Sequence, residues 1–181
     1  MAENRSLSKF FEELISRSFR QRLGLTDSEI TSYVTDLLTQ FNQTDTLYRI
    51  RNSQGKPLED VGEMLIESHP LLEAASFDRE REVRKHIGDF TLFFVGLFPE
   101  AVNRWRLRRQ RLDSLVDYVR TGKESYFIVS EFNLYEYKDS APFFKKMSEQ
   151  FESCVFGLNL VKRNLIEMQQ ESYVRARKFL V

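Results

Sequence analysis

The chain has 181 residues, with 27 lysines and arginines against 27 aspartates and glutamates, and a mean hydropathy of −0.44. That length suits one domain, or one domain with a helical appendage, and is enough to bury a real core. The charge balance excludes a global attraction to nucleic acid or acidic membrane, and a single cysteine excludes an intrachain disulfide framework and a cysteine-based zinc cluster.

Seven glycines and four prolines leave little punctuation for a many-stranded protein, and the elements read as helices. At the N-terminus, Arg5 and Lys9 precede a Phe-rich stretch interrupted by Glu12 and Glu13, so neither a secretion signal nor a transit peptide is expected. Leu7, Phe11, Leu14 and Ser18 outline a first amphipathic helix, widened by Phe10, Ile15 and Phe19, with Gly24 as its stop. Thr26, Asp27, Ser28 and Glu29 form a capping box for a second helix, whose apolar face is Ile30, Val34, Leu37 and Phe41. Residues 47–51 read as extended chain or a helical turn, and Asn52–Pro57 as a loop by its turn chemistry. A third helix over Leu58–Ser68 buries Val61, Met64 and Leu65 and ends ahead of Pro70, whose ring disfavours helix at the preceding residue. The stretch His69–Phe77 is the best boundary, giving an N-terminal unit 1–69 and a main bundle 70–181 unless the chain is one continuous domain.

The fourth helix, Asp78–Leu97, sets Val83, Ile87, Phe90, Phe94 and Leu97 on one seam, while Leu92, Phe93, Val95 and Phe98 make its second half apolar all round. A helix of that kind belongs at the centre of a bundle. The dense run Phe90–Phe98 is less than half of the roughly 20 residues a membrane crossing requires, so it reads as core. Pro99 restarts the chain, and a helical stretch covers Glu100–Tyr137 with Leu112, Leu115, Val119, Tyr126 and Val129 on one face. Gly122 falls on that face too; it either ends a helix or admits a close crossing, and the break is slightly preferred. From Phe144 an apolar or small residue returns at steps of three and four through Met147, Phe151, Cys154, Leu158, Val161, Leu165, Met168 and Ser172, a period only a helix can hold. Unbroken from Pro142 to Lys178, this helix would be roughly 55 Å long, against a body diameter of roughly 40 Å. It therefore kinks, with Gly157 the best place, or its C-terminal end projects and seeks a partner.

Three groups of side chains bear on chemistry. Arg104, Trp105, Arg106, Arg108, Arg109 and Arg111 mix guanidinium groups that fork onto phosphate with an indole that can stack on a base; on a helix they also read as ordinary surface pairs with nearby acids. Glu82, His86 and Asp89 share one helical face at metal-ligand spacing, but one helix cannot complete a site, and the bland reading has His86 bonded to a carboxylate or backbone carbonyl. Cys154 sits on the long seam and reads as a small hydrophobe. Gly-rich phosphate loops and nucleophile elbows are absent from the sequence, and the sixteen phenylalanines read as packing before they read as a ligand pocket.

These observations predict an all-α fold, a multi-helix bundle with a long C-terminal helix. They favour a non-catalytic interaction or regulatory protein of the cytoplasm that works through protein–protein contacts and self-associates, with Leu165, Met168, Ser172 and Tyr173 as the interface and no cofactor. A small-molecule- or metal-binding helical protein is the first alternative, and polyanion or nucleic-acid binding through Arg104–Arg111 the second.

Overall fold

The computed structural model describes residues 2–23, 26–72, 74, 76–108, 115–168 and 170–180. Its helices are α1 (Ala2–Leu23), α2 (Ser28–Phe41), α3 (Thr44–Leu47), α4 (Val61–Glu67), α5 (Phe77–Leu97), α6 (Pro99–Arg108), α7 (Leu115–Glu131), α8 (Ala141–Glu149), α9 (Phe151–Glu167) and α10 (Glu171–Leu180), with a 3-10 turn at Tyr135–Tyr137. Among the described residues the extended pairing is one isolated bridge, Arg51 to Pro57, so the fold is all-α. No helix among them is long and apolar enough to cross a membrane.

The helix starts follow from local chemistry. The Asp27 carboxylate accepts from the N–H groups of Glu29 and Ile30 at 2.9 and 3.2 Å, which makes Asp27 the cap of α2 and moves it one residue beyond the Thr26 expected from the capping-box pattern. An anionic oxygen at the positive end of the helix dipole is a better acceptor there than a hydroxyl. Asp60 caps α4 through the N–H of Gly62, and the Ser76 hydroxyl accepts from the N–H of Arg79 at the start of α5. Asn52 closes the expected loop by accepting from the N–H groups of Gln54 and Lys56, with Gly55 at φ +77°. The stop expected at Gly24 lies outside the described residues, as does Leu112.

Contacts within the chain gather into two units, each assembled from separated stretches. One holds residues 1–39, 92–119 and 152–181, the other 40–91 and 120–151. The expected 69/70 boundary falls between α4 and α5, within the second unit. α5 contributes residues to both units, and every residue from His86 to Phe98 on it and just beyond is buried, as an all-round apolar helix requires.

In the second unit α5 and α7 run antiparallel at close range. Gly88 faces the Tyr126 ring, where a Cβ would stand 2.5 Å from Cε1, and Gly122 faces the Thr91 hydroxyl and the Phe151 ring with no room for a Cβ. Gly122 thus lies inside α7 and permits the crossing; it does not break the helix. The Tyr126 ring lies against Phe144 and Phe151, and Val83, Ile87, Phe90, Val129 and Met147 of this unit are buried as well.

The expected 142–178 helix is divided, its first part lying in the second unit and residues from 152 onward in the first. Gln150, at φ −99° and ψ 12°, closes α8, and α9 starts at once with Phe151. A second interruption follows α9: the Gln170 N–H returns to the Leu165 carbonyl, and the Gln170 carbonyl accepts from the N–H of Val174 to open α10. Gly157 is not the kink. It sits within α9 against the Phe19 ring, while Gly96 accepts Leu158 in the same manner. The seam itself persists, with Cys154, Leu158, Val161 and Leu165 all buried.

Candidate functional site

The titratable side chains singled out on α5 point to partners within the protein. His86 is fully buried between Phe41 and Phe90, its Nε2 3.1 Å from the Leu47 carbonyl, and its Nδ1 accepts from Arg49 Nε at 3.2 Å. The two bonds fix the neutral tautomer with the proton on Nε2, because Nδ1 faces a donor and Nε2 an acceptor. Burial pushes its pKa down to about 4, with Arg49 acting in the same direction and Asp89 opposing. Asp89 accepts from the Tyr126 hydroxyl at 2.7 Å and from Lys85 at 2.8 Å, and Glu82 accepts from Arg79 at 3.0 Å. The Glu82, His86 and Asp89 side chains are thus each engaged by other protein groups, and no group of three or more His, Cys, Asp and Glu among the described residues stands ready to hold a metal.

The same unit is held by further polar clamps. Arg79 donates to Glu67 at 2.7 Å and to the Arg51 carbonyl at 2.5 Å, tying α4 and the preceding loop to α5. Arg81 lies 3.9 Å over the Tyr137 ring and donates to Ser140, while the Tyr137 hydroxyl donates to Asp78. These groups act as fasteners between elements distant in sequence.

The arginine run lies on and beyond α6. Arg104 is exposed, and Trp105 is half-buried with its ring 4.7 Å from Phe94, so the indole is spent on packing. Arg106 and Arg108 belong to α6 with side chains outside those described, and Arg109 and Arg111 lie outside the described residues. Cys154 is buried, and loss of water pushes its thiol up to about 12, the behaviour of a packing residue.

The α9–α10 end is different in character. Leu165 (2% exposed) and Tyr173 (6%) belong to the chain's own core: the Tyr173 ring stacks on Phe98 and its hydroxyl donates to the Leu97 carbonyl at 3.0 Å. Met168 (56%) and Ile166 (40%) are open to solvent, and Ser172 is on α10 with its side chain outside those described. A groove of about 290 Å³ runs here, lined by Ile166, Tyr173, Val174, Arg177 and Lys178. Beside it, Lys162 pairs with Glu100 and anchors α9 to α6. The expected interface quartet thus divides into two core residues, an exposed methionine and a serine whose side chain is not described, and Ile166, Val174, Arg177 and Lys178 line or border the surface. Periodicity placed the seam but could not mark where the covering elements stop.

A second apolar surface was not visible in the periodicity. Leu71 (87% exposed), Leu72 and Phe77 (75%) lie in or beside the turn between α4 and α5, with Ile66 at the end of α4. No known family, curated protein or solved structure matches the chain.

Proposed function

We propose that this all-α chain is a non-catalytic interaction protein that works through protein–protein contacts and self-associates through the α9–α10 end. The observation that carries the reading is the groove at that end, where Ile166 and Val174 offer apolar surface beside two cationic side chains, with Met168 exposed one residue beyond the end of α9. Exposed apolar side chains gathered beside a rim of charge have the composition of an interface. The engagement of His86, Asp89 and Glu82 by neighbouring protein groups also supports a structural role for the polar residues of α5.

Light scattering on eluting protein tests this with Ile166→Asp and Met168→Asp, because both side chains are exposed and their replacement leaves the core intact. Each is expected to shift the mass toward monomer while circular dichroism and the melting temperature stay near wild type. The exposure of Leu71, Leu72 and Phe77 favours a second reading, in which the contact surface is the α4–α5 turn. Leu71→Asp in the same experiment separates the two: dissociation by Leu71→Asp alone would transfer the interface to that turn.

A further inference from the structure

α10 carries opposite charges at its two ends, and Val174 and Lys178 on it line the groove. Glu171, Val174 and Lys178 recur at steps of three and four, so they share one face, with Glu171 in the first turn and Lys178 in the last. All of Glu171, Arg177 and Lys178 are exposed, and none forms an ion pair among the described residues. Seven residues of helix separate Glu171 from Lys178 by about 10 Å along the axis, so they cannot pair with each other in one chain. A twofold axis solves the problem. Turning a second α10 antiparallel about the point between Val174 and Arg175 sets each Glu171 against the other copy's Lys178, and each Val174 against the stem of the other Arg175.

We infer that two copies of this chain pair through antiparallel α10 helices, with the Glu171 carboxylate of each copy meeting the Lys178 ammonium of the other over the groove lined by Ile166 and Val174. This rests on the self-association proposed above and adds its register. The apolar side chains supply the attraction, and the two charge pairs set direction, since exposed pairs contribute little affinity while like charges set face to face are strongly disfavoured.

The test exchanges charges. Glu171→Lys places two lysine–lysine contacts in the dimer and Lys178→Glu two carboxylate–carboxylate contacts, so each variant alone is expected to associate at least about tenfold more weakly than wild type. Mixed in equal amounts, the two variants restore both opposite-charge contacts and are expected to form a heterodimer of near wild-type affinity. A contribution confined to one helix predicts no such rescue. As a measurement free of any folding effect of substitution, the wild-type dissociation constant should rise with added salt, because screening weakens exposed pairs. Variants that associate like wild type, a mixture that stays monomeric, or a constant that does not rise with salt overturns the pairing while leaving self-association in place. A wild type that is monomeric at every concentration overturns both.

Discussion

His86 shows how a residue that looks like a ligand becomes a fixed part of a core. Its folded pKa of about 4 lies below the ordinary 6.5, so the folded state prefers the neutral ring and the unfolded state takes up the proton first. The contribution is whole above pH 6.5 and is lost as pH falls toward 4. By linkage the wild type should lose about 2 kcal/mol of unfolding free energy between pH 7.5 and pH 5 from this group, and His86→Gln should flatten that slope. Denaturant titrations at the two pH values measure it; an unchanged slope in the variant would place the acid sensitivity elsewhere. Tyr135 is a different case, with φ at +52° and a side chain 89% exposed. The backbone conformation disfavours any residue with a Cβ, and the ring gains little from its position. Tyr135→Gly should therefore melt higher than Tyr135→Ala, by about 1 kcal/mol, in matched thermal unfolding; equal stabilities would show that the turn relaxes without strain. The Leu47 carbonyl beside His86 was not legible in the sequence because folding brings that segment to the ring, and the left-handed turn at Tyr135 was hidden because a tyrosine carries no signal for that conformation.

At the scale of elements, helical period was the legible signal. It placed the buried faces of α2, α5 and α9, and the all-round apolar half of α5 foretold its burial. Period names the buried face but not its neighbour, which is why Gly122 read as a break while it is a place of close approach between α5 and α7. Its substitution decides between the readings. Gly122→Ala would gain about 1 kcal/mol of helix propensity if the position were open. Here the new methyl group meets the Phe151 ring and the Thr91 hydroxyl, which is held by the Ile87 and Gly88 carbonyls and cannot swing aside. Overpacking of this kind costs about 1–3 kcal/mol, so a net loss in chemical denaturation is expected. A gain would mean that the crossing is wider than described. The same limit explains Gln150 and Gln170: the seam stays buried from Phe144 to Leu165 across the first, and the interruptions arise from backbone geometry that apolar spacing does not encode.

For the whole molecule, the sequence made the all-α class plain, and the candidate site only in part. Leu165 and Met168 both follow the seam, yet Leu165 is core and Met168 is left open, while Tyr173, one residue off the seam, is core because Phe98 and the Leu97 carbonyl reach it. What distinguishes interface from interior is the extent of the covering elements, a property of the assembled chain. The claim on which the functional reading rests is that the α9–α10 end is covered by a second copy. Sedimentation of the wild-type chain from micromolar to millimolar concentration tests it most directly: a reversible rise from monomer to dimer is the result predicted, and a single monomeric species throughout would contradict it.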